Sequence, residues 1–295
     1  MILISVITPH YNMTDTLRRL RDSIPEEDWI EHIIVDDKSD TDAAELEAAK
    51  AYAAGKGSIW IDNDTELKGT GICRDIGIRK ASGKWILIAD ADDYFIKGAF
   101  DTMRRYVREE ADIVYFAPIS IRERDGGRSC RHVPYKRLVD RYAADPCSEN
   151  ELRLRYLSVP DMSKMIRRSL IIENNVKSSP SPVANDVMFS VLCAYHAKSV
   201  KAVRDAVYCI TEGEGTLTTT KNAELFRKRI DVYIEQVNFL REHLSLSSYA
   251  DTRISPRAML LQGLADYGLK EFFLTIKHLK RENIPLNLLA LRLKK

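Results

Sequence analysis

Trp85-Ile86-Leu87-Ile88-Ala89-Asp90-Ala91-Asp92-Asp93 is a short apolar run that ends in three carboxylates within four positions. An apolar run of this length, without alternation, reads as a strand buried on both faces. Strands of that kind form parallel sheets covered by helices, and such sheets bind ligands at the carboxyl ends of their strands. Clustered carboxylates at such an end repel one another and are costly to bury, whereas a divalent cation would hold them together. Hard oxygen donors select Mg²⁺ or Mn²⁺. An acidic turn after a strand explains the tetrapeptide equally well when it is taken alone.

The chain on either side repeats the same grammar. Residues 2–8 predict a strand ending at His10-Tyr11-Asn12, and Thr14 can cap a helix whose Leu17, Leu20 and Ile24 share a face. Residues 33–35 predict a second strand, ending at Asp36-Asp37, with Ser39 or Asp40 capping an Ala-rich helix over 43–54. Residues 58–61 predict a third strand and 112–118 a fifth. Gly69-Thr70-Gly71 lets a ligand approach the backbone, and Arg74 in the helical turn that follows suits a phosphate or a nearby carboxylate. An ordinary loop with a solvated Arg is the plainer alternative. A dinucleotide fingerprint would need glycine where Arg74 stands. Beyond residue 118 the pattern loosens. Residues 122–150 read as a turn or mobile insertion around Asp125-Gly126-Gly127, 164–172 as β-like, and 178–182 as a Pro-rich loop. A helix is expected over 186–196, then two short strands near Val200 and Val207. Phe226, Ile230, Tyr233, Val237, Leu240 and Leu244 form one helical stripe.

Composition narrows the function class. The 295 residues are 45% hydrophobic and 30% charged, enough for a sizeable core in a globular chain. A net charge of +2 is too near neutral for binding nucleic acid along the whole surface. Five scattered cysteines (Cys73, Cys130, Cys147, Cys193, Cys209) form no Cys-x-x-Cys pair, which argues against a disulfide framework or zinc site and for a reducing cytoplasm. The N-terminus reads as a buried strand rather than a signal peptide, and no apolar run approaches the ~20 residues of a membrane span.

In order along the chain, Ser5-Val6-Ile7-Thr8-Pro9-His10-Tyr11-Asn12, Ile34-Val35-Asp36-Asp37-Lys38-Ser39-Asp40, Gly69 to Gly77, and Ala81-Ser82-Gly83-Lys84-Trp85 leading into Asp90-Ala91-Asp92-Asp93 resemble family 2 glycosyltransferases of the GT-A fold. Leu67, His10 and Asp75 depart from the residues common in that family. The resemblance implies an α/β, GT-A type fold with a mostly parallel central sheet and a C-terminal helical region. It divides the chain into a glycosyltransferase domain over 1–220 and a helical extension over 221–295. Residues 1–118 would be the nucleotide-sugar half, and 119–220 the acceptor half with a mobile loop.

By the same resemblance, Pro9 and Tyr11 line the base pocket and Asp37 hydrogen-bonds the base. Gly69, Arg74, Asp90 and Ala91 contact the nucleotide sugar, and Asp92 with Asp90 holds Mn²⁺ or Mg²⁺. Asn185-Asp186-Val187-Met188-Phe189 stands where the family carries a Glu-Asp pair, which gives Asp186 the role of general base; read alone, Asp186 is a helix cap. Asn185, Lys164 and Thr216 are acceptor-side and loop candidates, with Glu214, Thr218 and Lys221 also available in the loop. His196 reads as a core or surface histidine.

The implied activity is inverting, metal-dependent transfer of a sugar from a nucleotide diphosphate, best read as a UDP-sugar, to an acceptor hydroxyl. Bacterial surface polysaccharide or lipooligosaccharide synthesis, with a glycan or lipid-linked glycan acceptor, is the family's habit. Two rivals are a nucleotidyltransferase, which would show a Gly-rich basic loop after the first strand, and a non-catalytic nucleotide-sugar-binding protein. The C-terminal residues Lys277, Lys280, Arg281, Arg292, Lys294 and Lys295, with Leu286, Leu289 and Leu293 on one face, suit a peripheral contact with the cytoplasmic face of the inner membrane. Packing of that segment on its own core or in a homodimer is the competing reading.

Overall fold

A computed structural model describes residues 1–213 and 221–286. Eight strands make one mixed sheet: β1 (Ile4–His10), β2 (Ile30–Asp36), β3 (Ile59–Asp62), β4 (Trp85–Ile88), β5 (Tyr94–Phe95), β6 (Ile113–Arg122), β7 (Lys164–Arg167) and β8 (Val200–Glu212). Their order is β3-β2-β1-β4-β7-β6-β8-β5. The first four strands are mutually parallel, β7 runs antiparallel between β4 and β6, and β6 pairs in parallel with β8. The chain winds outward from β1 to β3 and returns to β4 on the other side of β1, so the strand order reverses between β1 and β4. A crevice at the carboxyl ends of those two strands is where such sheets take ligands.

Side-chain alternation explains why the central strands contain few polar residues. Ile4 and Val6 of β1, Trp85 and Leu87 of β4, and Val114 and Phe116 of β6 face one core with Leu20, Phe100 and Met103. Ile7, Ile86, Ile88, Ile113 and Tyr115 face a second core with Cys73, Ile78, Phe189 and Cys193. The first core is closed by α1 (Thr14–Asp22) and α4 (Ala99–Arg104), with α2 (Ala43–Gly55) packing beside α1. The second is closed by α3 (Thr70–Lys80), α5 (Val133–Ala144), α6 (Ser148–Leu157), α7 (Arg168–Glu173) and α8 (Asn185–His196). After β8 come α9 (Ala223–His243), α10 (Leu246–Thr252) and α11 (Arg257–Arg281), the last kinked at Gly268, whose φ is 81°. Phe226, Ile230, Val237 and Leu240, the expected stripe of α9, pack with Leu260 and Leu279 against Tyr156, Met188 and Val191.

Several local expectations are corrected. The supposed insertion over 122–150 holds α5 and the start of α6. The charge pattern hid α6, because it turns Arg155 inward, where it donates to the carbonyls of Ala194 (2.6 Å) and Ala197 (2.9 Å) at the end of α8. The two strands near Val200 and Val207 are one strand, β8, interrupted by a register shift against Phe116 and Ala117. Only residues 164–167 of the β-like run are strand; the rest is α7. Thr14 is the first residue of α1 rather than its cap, and its hydroxyl donates to Glu45. The cap of α2 is Asp42, which accepts from Ala44 and Glu45, while Ser39 serves Asp36. Thr216, with Glu214 and Thr218, lies outside the described residues, as do Leu289, Arg292, Leu293, Lys294 and Lys295.

Candidate active site

Three strand ends build one side of the crevice. At the end of β1, Pro9 is buried beside Val35, and Tyr11 is exposed, with its hydroxyl donating to Asp40 (3.1 Å) and the Lys68 ammonium 4.9 Å above its ring. His10 is buried. Its Nε2 accepts from the Met13 amide (3.3 Å), so Nδ1 carries the proton donated to Asp36 (2.7 Å). Asp36 also accepts from the Ser39 amide (3.0 Å) and hydroxyl (2.6 Å). Burial pushes the Asp36 pKa up, but the bonds from His10 and Ser39 outweigh it and the net shift is downward. Asp36 is therefore a structural anion.

The neighbouring Asp37 points elsewhere. One oxygen accepts from Asn63 (2.9 Å) and the other from the Gly69 amide (2.8 Å), so Asp37 ties the ends of β2 and β3 to the start of α3. Gly69 is there because its φ of 131° is closed to other residues. Gly71 has a different reason. A Cβ on it would stand 2.8 Å from the Ser179 carbonyl and 2.9 Å from the Ser178 Cβ, so only glycine lets the Pro-rich loop lie against α3. Ser178 is further fixed by its backbone amide, which donates to Asp75 (3.0 Å).

The acidic motif turns directly after β4. The Asp93 amide donates to the Asp90 carbonyl (3.0 Å), and oxygens of Asp90, Asp92 and Asp93 lie within 4.8 Å of one another. Their roles separate by burial. Asp93 is nearly inaccessible and accepts from the Thr211 amide (2.7 Å); burial and the neighbouring acids push its pKa well up. Asp90 and Asp92 are half-buried and face the crevice. Burial and the charge of Asp90 push Asp92 up to about 6. A divalent cation would remove that penalty, so this oxygen set fits Mg²⁺ or Mn²⁺. Tyr208 is buried behind the turn, its hydroxyl accepting from the Asp90 amide (2.9 Å), and Arg19 donates to the Asp92 carbonyl. Ala91 packs into an apolar cluster with Leu17, Ile34 and Ala53, which leaves only its backbone for a donor.

Arg74 joins these strand ends to α8. Its Nε lies 2.8 Å from Asp161 Oδ2, its Nη1 donates to Asn185 Oδ1, and its Nη2 is 3.4 Å from Asp90 Oδ1. Burial opposes the guanidinium charge, but Asp161, Asp90 and Asp186 outweigh it and raise the pKa. Asp161 is 0% exposed, and the contact with Nε is an ion pair without hydrogen-bond alignment. Burial lifts Asp161 to about 7 against the pull of Arg74.

Asp186 sits in the first turn of α8, one residue beyond Asn185, with burial raising its pKa against the charge of Arg74. Ala184 stands at the cap position without a side-chain bond, so the cap reading of Asp186 is not the geometry observed. Lys164 is buried beneath, its Nζ donating to the Ser158 carbonyl (2.5 Å) and the Ser190 hydroxyl (3.2 Å); burial brings it down to about 8. Lys221 pairs with Asp266 of α11 at 2.9 Å.

Asp161, Asn63 and Arg19 were absent from the expected set. Asn63 follows β3 and was open to the same strand-end argument that found Asp37. Asp161 lies in an irregular stretch between α6 and β7, where no periodicity marks an inward-facing residue.

Residues 5–165 match the sequence profile of the family described as Glycosyl transferase family 2. An uncharacterized glycosyltransferase, YibD of Escherichia coli, is 26% identical over 212 residues, covering 70% of this chain and 60% of that protein. TarS of Staphylococcus aureus, a poly(ribitol-phosphate) beta-N-acetylglucosaminyltransferase, is 25% identical over 221 residues, covering 73% of this chain and 36% of TarS. The chain thus spans less than two thirds of either relative. The crystal structure of TarS residues 1–349 with UDP-GlcNAc superposes with a TM-score of 0.62 at 17% identity, covering 96% of this chain and 93% of that one. The mannosyltransferase PcManGT of Pyrobaculum calidifontis, in complex with GDP-Man and Mn²⁺, gives 0.58 at 15% identity, covering 94% and 79%. The fold is that of these GT-A enzymes, and with more than half of its length inside the family profile, the chain belongs to glycosyl transferase family 2.

Proposed function

We propose that the protein transfers a sugar from a nucleotide diphosphate, a UDP-sugar by preference, to a hydroxyl of a glycan or lipid-linked glycan, with inversion at the anomeric carbon. The observation that carries this reading is the span of Arg74, which touches the acidic turn through Asp90 and the start of α8 through Asn185, one residue from Asp186. A donor held at the turn and an acceptor deprotonated at α8 would meet across that guanidinium. The likeness to TarS and PcManGT, solved with UDP-GlcNAc and with GDP-Man and Mn²⁺, supports a nucleotide-sugar donor.

Asp92, with Asp90, would hold Mn²⁺ or Mg²⁺, whose charge would offset that growing on the leaving diphosphate. Pro9, Tyr11 and Asp37 would receive the base, Asp37 sharing its oxygens with Asn63 and Gly69. Arg74 would carry positive charge at the donor's diphosphate side. Asp186 would take the proton of the acceptor hydroxyl as it attacks, and its raised pKa improves it as a base near neutral pH. Attack opposite the leaving nucleotide inverts configuration. Residues 1–220 would hold this machinery, with 221–295 as a packed extension. Five free cysteines suit work in the reducing cytoplasm.

A panel of UDP-, GDP- and dTDP-sugars, scored for Mn²⁺-dependent release of nucleotide diphosphate, tests the reading. The expected result is one preferred UDP-sugar, with release abolished by chelation and by Asp92→Ala. Release unaffected by either change would overturn the metal assignment, and no release from any nucleotide sugar would favour a binding role.

A further inference from the structure

The outer face of α11 is built unlike a solvated helix. Beyond the kink at Gly268, Leu269 is 65% exposed, Phe273 60% and Leu274 42%. At 3.6 residues per turn, Leu269, Lys270, Phe273, Lys277 and Lys280 fall within an arc of roughly 100°, opposite the buried Glu271, Thr275 and Leu279. The only acids of the helix are Asp266 and Glu271, and both are neutralised from elsewhere. Asp266 pairs with Lys221 at 2.9 Å and Glu271 with Arg227 at 2.7 Å. Lys270, Lys277 and Lys280 are exposed and make no ion pair among the described residues. The face therefore combines large apolar side chains with uncompensated positive charge. No helix among the described residues is long and apolar enough to cross a membrane.

We infer that this face of α11 is a docking surface for an anionic lipid bilayer. Leu269 and Phe273 would enter the region between headgroups and acyl chains, while the three lysines reach lipid phosphates beside them. A second copy of the chain fits less well, because a two-fold contact through the same face would set the lysines against their own counterparts. The surface is separate from the crevice that holds Asp92 and Asp186, and its test does not depend on the sugar-transfer reading.

The full chain is sedimented with vesicles of phosphatidylglycerol and phosphatidylcholine, and with phosphatidylcholine alone, at low and high salt. Binding is expected only with the anionic vesicles and should weaken with salt. Lys270→Gln with Lys277→Gln and Lys280→Gln should reduce partitioning by about 100-fold, at about fivefold per charge. Leu269→Ser with Phe273→Ser should also reduce it, with unchanged salt dependence. All five side chains are exposed, so melting temperature and nucleotide-sugar turnover in solution should stay at wild-type values. The inference fails if the intact chain stays in the supernatant, or if both variants sediment like wild type. It also fails if light scattering finds a dimer that the Leu269/Phe273 variant dissociates.

Discussion

Replacing Asp186 by Asn separates catalysis from folding in a way the structure makes specific. The carboxylate stands at the start of α8 in surroundings that raise its pKa, burial first and the charge of Asp90 second, against the pull of Arg74. A raised carboxylate pKa means that the fold disfavours its ionised form. That penalty is absent at acid pH and fully present once the pH exceeds the folded-state value. Asn keeps the shape and carries no charge, so Asp186→Asn should melt no lower than wild type at neutral pH and should melt somewhat higher. Donor and metal affinity should stay near wild type, because the bonds from Arg74 to Asn185 and Asp90 do not involve this side chain. Transfer should fall by roughly 10²–10⁴-fold, the usual cost of losing a general base. The assay is transfer rate at saturating donor, with calorimetric melting and UDP titration in Mn²⁺ on the same preparations. Wild-type transfer by Asp186→Asn would refute the assignment. A melting loss worth about 1 kcal/mol in Asp186→Ala, with transfer preserved in Asp186→Asn, would be the pattern of a helix cap and would refute it too.

Three further outcomes follow from the same geometry. Asp92 is raised to about 6 from an ordinary 3.8, so Mn²⁺ affinity, measured by titration calorimetry, should be flat above pH 7 and fall about tenfold per unit well below pH 6. Without metal the sign reverses: the contribution of Asp92 to stability is complete below its ordinary value and is lost as the pH rises through 6. Gly71→Ala should cost about 1–3 kcal/mol in denaturant unfolding, because its Cβ meets the Ser179 carbonyl at 2.8 Å. It should slow transfer beyond that loss by displacing the loop that leads to Asn185. Arg74→Lys keeps the charge but cannot reach Asp161, Asn185 and Asp90 together, so kcat should drop and thermal melting should fall by an amount worth about 2 kcal/mol, with Asp161 left without a full partner.

The first four strands and their ends were legible because their signals are local. Each parallel strand is a short apolar run, each ends in polar residues, and strand ends are where such a sheet opens; Asp37, Asp90 and Asp92 follow from that rule alone. Residues 119–220 were less legible because some of their charges point inward. Arg155 is buried on backbone carbonyls, which breaks the polar-out pattern that marks a helix and hid α6. Asp186 came from position in the chain, not from spacing. Asp161 had no signal, since a buried carboxylate in an irregular segment is recognisable only by the arginine that reaches it.

That arginine explains why the two halves depend on each other. Arg74 belongs to α3, whose start is set by Gly69 and Asp37 at the end of β2. Its three nitrogens end on residues from three segments, so moving any one of Asp90, Asp161 or Asn185 leaves a buried charge imperfectly paired. Burial makes that costly, and the cost holds the acidic turn and the start of α8 in one arrangement. Gly71 serves the same end, bringing α3 against the Pro-rich loop closely enough for Arg74 to span the gap. A site that must hold a donor and an acceptor in line needs such a rigid cross-link, because misplacement of about 1 Å can cost 10²-fold in rate. On the proposed reading, the buried Asp161–Arg74 pair is part of that cross-link, and breaking it costs stability as well as alignment.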